Sequence, residues 1–403
     1  MKIACLILAI SMPFVGAEKA FAFQNDLFEG KDLVKFEADS EYRLNSNLFM
    51  LPSGVNPSAL NSDRGDAILT SHVGIKVSQD IGMQHLDLSY SHANAKYNNA
   101  SFLDYDTDNY GASWLWSVTP ALKGDLYARR TVVPRSAEVY GRNAPTSGRQ
   151  LSADEAFGVL FDFSPHQIVH VYGGYMNHDI LTTGQVGADY SQSWDELSAG
   201  LGYEFKSGTV IKLMYLDKKG THTGNDASAI GEHFNGDETR LMMLWPISGN
   251  ATLNASIGYV DRNDGTYAQR NYSGLVGGIK LQKDLDGQHM LAIAYDRRLS
   301  LFQTNTISHV EVNEISISDN WAVTAKLTIK ASVIADQQQF VNVNLIDSPA
   351  RSNDNLRYGL DATWQGTEKI KLRALVERSQ RRSNEADYVF NANIASISAE
   401  INF

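Results

Sequence analysis

The sequence predicts an all-β protein: a transmembrane antiparallel β-barrel of the bacterial outer-membrane kind, with about eighteen strands and sixteen to eighteen as the range. Three observations predict it. The chain opens on a leader for export, it alternates apolar and polar residues at period two almost everywhere after that, and it closes on an alternating strand with a terminal aromatic, Phe403.

Met1 and Lys2 are followed by an apolar run from Ile3 to Val15, broken at Ser11 and Pro13, and by the small-x-small pattern Ala20-Phe21-Ala22. This is the layout of a signal peptide of residues 1–22, with cleavage after Ala22 and Ala17 as the second choice. The run is too short to cross a bilayer, and Cys5 stands ahead of most of it, where a lipoprotein acceptor does not stand. Residues 23–32 form a short N-terminal segment, expected in the periplasm, and residues 33–403 the barrel. Cys5 is the single cysteine, so the mature chain is expected to have no disulfide and no cysteine metal site.

Lys and Arg number 35 against 46 Asp and Glu, a net charge of −11, which disfavours a nonspecific grip on nucleic acid. After the leader no stretch approaches the length of a membrane helix, so the choice lies between a soluble exported protein and a membrane barrel. Periodicity decides it. In Val34 to Leu44 the apolar set Val34, Phe36, Ala38, Tyr42 and Leu44 shares one face, interrupted only by Ser40, while Lys35, Glu37, Asp39, Glu41 and Arg43 share the other. The pattern returns in Leu86-Leu88-Tyr90, Phe157-Val159-Phe161-Phe163, Leu197-Ala199-Leu201-Tyr203, Leu253-Ala255-Ile257-Tyr259, Tyr358-Leu360-Ala362-Trp364 and Ile397-Ala399-Ile401-Phe403. Weaker strands are expected near Leu126, Val169 and Val310. A soluble sandwich also alternates, but one domain rarely needs so many strands.

The connections alternate in length. Short turns are expected at Asp80–Gln84, Thr119–Lys123, Ser164–Gln167, Lys206–Thr209, Ser248–Asn250, Lys283–Gln288, Asp319–Val323 and Gly366–Lys369. Longer polar connections are expected at Asn45–Gly65, Pro134–Gln150, Asp179–Tyr190, Lys219–Gly236 and Asn342–Asp354. Outer-membrane barrels keep short turns in the periplasm and long loops outside, so both termini are expected in the periplasm. Lipid and lipopolysaccharide are then the surroundings, and Phe403 is the candidate insertion signal for the barrel-insertion machinery, read as a short added strand.

If the apolar faces meet lipid, the other faces line an interior wide enough for an aqueous channel. The candidate lumen residues are Lys35, Glu37, Asp39, Glu41, Arg43, Tyr127, Tyr172, Lys212, Arg240, Lys326, Lys330, Arg357, Lys371, Arg373 and Glu377, with His170, Glu238, Thr328, Asp361, Ser398, Glu400 and Asn402 on the same parity. Lys371 and Arg373, with Lys326 and Lys330 two strands away, form either a basic stripe for an acidic polymer or one half of ion pairs that merely solvate the wall. Tyr127 and Tyr172 are candidate sugar-stacking platforms or packing rings. No cofactor or metal is expected, and no enzyme. G-x-S-x-G and H-E-x-x-H are missing, and Asp261-Arg262-Asn263-Asp264-Gly265 departs from the EF-hand spacing and reads as a hairpin turn. Glu37 and Glu41, four residues apart in a strand, stand about 13 Å from each other, too far for a glycosidase pair.

Tyr42-Arg43-Leu44-Asn45-Ser46-Asn47-Leu48-Phe49 with Leu51-Pro52, then Tyr105, Tyr110 and Trp114-Leu115-Trp116, then Ala268-Gln269-Arg270-Asn271-Tyr272-Ser273-Gly274, resemble the EpsL-type outer-membrane barrels of exosortase-associated exopolysaccharide operons. The resemblance covers about the first two-thirds of the mature chain and continues weakly to the end. It implies export of a polysaccharide made at the inner membrane, with periplasmic or inner-membrane export proteins as partners, and it brings no catalytic residue. A periplasmic repeat domain is not expected ahead of the barrel, so any scaffold link would fall to another chain. A general or solute-specific diffusion porin, and a nontransporting surface barrel, are the alternatives.

Overall fold

The computed structural model describes residues 33–55, 63–134, 150–166, 168–183, 191–223, 233–300, 307–342 and 350–403. The expected signal peptide with Ala17 and Ala22, Cys5, and the segment 23–32 lie outside the described residues.

Eighteen strands form one antiparallel sheet that closes on itself. In chain order they are β1 (Val34–Asn45), β2 (Asp66–Ile81), β3 (Gln84–Tyr97), β4 (Tyr105–Thr119), β5 (Leu122–Pro134), β6 (Leu151–Phe163), β7 (Val169–Thr183), β8 (Ser191–Glu204) and β9 (Val210–Thr223), then β10 (His233–Ser248), β11 (Ala251–Asp264), β12 (Tyr272–Asp284), β13 (His289–Ser300), β14 (Ile307–Ala322), β15 (Leu327–Asn342), β16 (Ser352–Gln365), β17 (Ile370–Ser383) and β18 (Phe390–Asn402). Each strand pairs with its neighbour in sequence, and β1 pairs with β18, Ala38 opposite Ile401 and Tyr42 opposite Ile397. Closure leaves no open edge, which is what a sheet in lipid requires. Phe403 completes the seam: its amide donates to the Phe36 carbonyl at 2.9 Å.

One end of the barrel carries tight turns, such as 82–83 and 249–250, and the strands joined by longer connections end at the other, as β1 and β2 do at Asn45 and Asp66. They are called the turn end and the loop end below. Gly82 and Gly208 take φ of +65° and +80° at two of the turns, a region costly for residues with a Cβ. Pro246 has no N–H to give the ladder, and the register of β10 against β11 shifts between Pro246 and Ser248.

The strands extend further toward the loop end than the apolar alternation does. Asp179 to Thr183, Lys219 to Thr223, His233 to Gly236 and Ser352 to Asp354 are strand, where the sequence pattern suggests connection. Asp261 to Asp264 likewise end β11 instead of forming a turn, and β14 runs on through Asp319 and Asn320 to Ala322, so that hairpin falls at 323–326. The reason is physical. Alternating hydrophobicity marks only the part of a strand that lies in lipid, and beyond it the hydrogen-bonded ladder continues with polar side chains on both faces.

The outward face is apolar and exposed, with Phe36, Val73, Leu201 and Ile397 all more than half accessible, an exposure rare on soluble monomers. Trp114, Trp245, Trp321 and Trp364 stand on it toward the turn end, and Tyr42, Tyr90, Tyr175, Tyr215 and Tyr358 toward the loop end, as two aromatic girdles. Past the tyrosines the outward face turns acidic: Tyr90, Tyr175 and Tyr215 donate their hydroxyl hydrogens to Asp108, Asp195 and Asp237 at 2.7, 2.5 and 2.7 Å.

Candidate functional site

The site is the lumen wall. Residues directly opposite on neighbouring strands share a face, so the register sorts inward side chains into rows. Lys35, Glu37, Asp39, Glu41 and Arg43 alternate with the exposed residues of β1. One row runs His72, Asp39, Glu400, Lys371, Gln365; the next runs Thr70, Glu41, Ser398, Arg373, Thr363; a third runs Arg43, Ser396, Leu375, Asp361, Lys330. The candidates on β15, β16, β17, β18 and β1 therefore occupy one continuous patch around the closing seam.

Within the patch cations and carboxylates are bonded to one another. Lys76 meets Glu37 at 2.7 Å, His72 meets Asp39 at 2.6 Å, Arg43 meets Glu41 at 2.8 Å and Lys371 meets Glu400 at 2.7 Å. Arg373 grips the Asp361 carboxylate through both Nε and Nη2. Lys330 stands directly opposite Asp361, and Glu377 opposite Gly359 and Ile394. Arg357 stands opposite Ser379 and Ile334. Lys326 departs from the expected strand position: it lies in the turn before β15, where its Nζ donates to the Gly366 carbonyl at 2.8 Å.

Halfway round the barrel the same pairing recurs. Arg240 meets Glu238 at 2.5 Å, Lys218 meets Glu196 at 3.0 Å, and Lys123 and His170 share Asp162 at 3.7 and 2.8 Å. Tyr172 stacks on His170, and Lys212 Nζ sits 4.2 Å from its ring centroid. Tyr127 and Tyr172 lie flat against the wall, over glycines of the neighbouring strands. A Cβ on Gly158 would fall 2.5 Å from the Tyr127 ring, and one on Gly202 would fall 2.7 Å from that of Tyr172. Such rings shield the bare glycine backbone and fix the wall's shape.

The result is an inner wall of closely spaced opposite charges, without a one-sign stripe at Lys371 and Arg373. Among the described residues no group of three or more His, Cys, Asp or Glu is arranged to hold a metal ion. Asp264, part of the calcium-loop look-alike, instead accepts the amides of Thr266 and Tyr267 at 2.9 and 2.8 Å.

Toward the loop end the inner wall changes character. Ile180, Trp194 and Phe234 pack together, and so do Val310, Val312 and Phe340, all buried. His178 lies 4.0 Å from the Trp194 ring and His222 5.0 Å from that of Phe234. Gly220 stands between Trp194 and Phe234 in their row and makes room for the Phe234 ring. The sequence leaves open whether a long connection such as Asn45–Gly65 or Lys219–Gly236 folds inward as a constriction, and the candidate lumen residues do not include these side chains. The signal was there: aromatic residues at inward parity near strand ends, Trp194, Phe234, Phe340 and Phe390.

Two of the stretches behind the family resemblance, residues 45–52 and 268–274, lie at the loop end, while Trp114 and Trp116 stand toward the turn end. Asn47, buried, donates to the Leu51 and Asn391 carbonyls, both at 2.9 Å, and accepts from the Leu51 amide. Residues Ala268–Arg270 form a 3-10 turn with Arg270 buried.

Comparison with solved structures agrees with the fold. The chain is similar to OpdK of Pseudomonas aeruginosa with vanillate (TM-score 0.53, 10% identity, 92% of this chain and 99% of that one). It is similar as well to OccK9 (OpdG) of Pseudomonas aeruginosa (0.51, 14%, 92% and 98%) and to a BenF-like porin from Pseudomonas fluorescens Pf-5 (0.52, 11%, 92% and 99%). No protein-family model and no curated protein sequence matches the chain. At such identities the likeness bears on the fold alone: a closed eighteen-strand antiparallel barrel.

Proposed function

We propose that the protein is an outer-membrane diffusion channel for small polar or charged solutes, with no enzymatic activity of its own. The observation that carries this is the lumen wall: inward cations and carboxylates bonded pairwise around the closing seam, leading to buried rings at the loop end. Paired charges let a small ion or zwitterion exchange partners at low cost. Packed rings at one end suit a narrow pathway better than a conduit for a polymer. Porin-like solved structures of the same strand architecture, one of them with vanillate, support the reading. It places the loop end outside and both termini in the periplasm.

The test is swelling of liposomes containing the full chain, in isotonic solutions of solutes graded by size and charge. Entry of monosaccharides and small organic ions, with a sharp fall for oligosaccharides, is expected. Entry of none of them would refute the proposal.

Export of a polysaccharide through the same lumen is the second reading, favoured by the resemblance of residues 42–52 and 268–274 to export barrels. Loss of surface polymer with periplasmic build-up in a clean deletion strain, restored by the intact gene, would favour it over the first.

A further inference from the structure

Toward the loop end the outward surface is uneven in charge. On β9, β10 and β11 it carries Asp217, Asp237 and Asp261, each directly opposite the next. On β17 it carries instead Arg378 and Arg382, both exposed and on the same face as Leu372 and Val376. Arg378 stands opposite Tyr358 and Asn393, and its diagonal neighbours on β16 and β18 are apolar or amide side chains, so no carboxylate adjoins it there. Arg382 stands opposite Asp354.

Beside Arg378 the lipid-facing wall is indented. A groove of about 1070 Å³ runs across the strands from β14 to β2, walled by Leu44, Val333, Leu360, Val376 and Ala395, with Arg378 on its edge. It opens outward: the two rows of outward side chains flanking its floor line it, and the inward-parity Ser332, Gly359, Glu377 and Ile394 lie along that floor. The groove crosses several strands, and its walls are mostly apolar side chains. The two arginines are four residues apart in a strand, about 13 Å, a spacing that suits two separate phosphates better than one.

We infer that this groove is a binding site for a bisphosphorylated, multiply acylated glycolipid of the outer leaflet, its acyl chains in the groove and its phosphates on Arg378 and Arg382. Charge-assisted hydrogen bonds from guanidinium to phosphate fix the headgroup, and apolar burial holds the chains. Asp237 and Asp261 on β10 and β11 repel the same headgroup and disfavour that arc, while Asp217 is bonded to Lys219 at 3.3 Å.

The test uses the full chain refolded in detergent, stripped of lipid and titrated with purified bisphosphoryl lipid A, with the complex counted by native mass spectrometry. One lipid A per barrel is expected. Binding should weaken at least tenfold in the double variant Arg378→Gln and Arg382→Gln and also in Ala395→Trp, which fills the groove, while Arg378→Lys keeps most of it; heat-modifiable mobility reports that each variant is folded. Unchanged binding by the folded double variant would overturn the inference. So would equal competition by phosphatidylglycerol or inorganic phosphate, or a multimer of the chain that covers this face and excludes the lipid.

Discussion

Arg373 is the side chain whose removal speaks most directly to the lumen. It lies near the middle of the seam patch, partly exposed to the interior, and grips the largely buried carboxylate of Asp361. Arg373→Gln removes one positive charge from the wall and leaves Asp361 facing Lys330. For an ion passing at about 7 Å in water, one unit charge is worth about 0.6 kcal/mol, and at 0.1 M salt screening roughly halves that. Cations gain what anions lose, so the cation-to-anion permeability ratio should rise about threefold for Arg373→Gln and about sevenfold for Arg373→Glu. The assay is the reversal potential across a planar bilayer under a salt gradient. Arg43→Glu, in the neighbouring row, should move it in the same direction, because Arg43 also lines the interior and is bonded to Glu41. A reversal potential unchanged in both charge-reversal variants, with the barrel folded, would refute the reasoning that these rows face the permeation path.

Other expectations follow from the same geometry. Trp194→Ala should raise single-channel conductance, since Trp194 is packed on the inner wall with Ile180 and Phe234, and should cost about 3–5 kcal/mol of stability; unchanged conductance would show that this cluster is not beside the pathway. Gly220→Ala would set a Cβ 2.3 Å from the Phe234 ring and 2.8 Å from the Ser193 carbonyl, so it should lower unfolding stability by about 1–3 kcal/mol, read by heat-modifiable mobility, while Gly249→Ala, with open space around it, should not. Asn47→Ala strips buried hydrogen bonds from the turn after β1 and should cost about 1–3 kcal/mol in the same assay. In the 285–288 turn the amides of Gln288 and His289 hold the Asp286 carboxyl below the usual aspartate range. Its contribution to that turn is therefore present above the ordinary aspartate pKa and is lost only as pH falls through the lowered value; NMR titration of Asp286 at an ordinary value would show that the turn does not form as described.

The barrel was legible because period-two alternation is enforced by lipid on one side and water on the other. In β1 exposed and half-buried residues alternate from Val34 to Leu44 as expected, except at the half-buried Ala38. Strand ends were less legible for the same reason. Asp179 and Lys219 continue their strands where lipid no longer selects for apolar side chains, so composition there looks like a loop while the ladder goes on. Partnerships across the wall were not legible: that Arg373 meets Asp361, or that Tyr172 covers Gly202, depends on a register that one sequence does not display. The inward rings at the loop end, Trp194 and Phe234 above all, were visible as a parity change, but a polar lumen was the stronger expectation. The family resemblance drew on residues such as Asn47 and Arg270, whose roles in this structure are to brace loop-end turns.

The most direct test of the central claim is the conductance of the purified full-length chain in a planar lipid bilayer. A water-filled path lined by paired charges predicts stable, ohmic steps with weak ion selectivity that shifts with the Arg373 and Arg43 variants. A folded barrel that inserts and yet gives no stable steps would contradict the claim and make it a barrel with a closed interior.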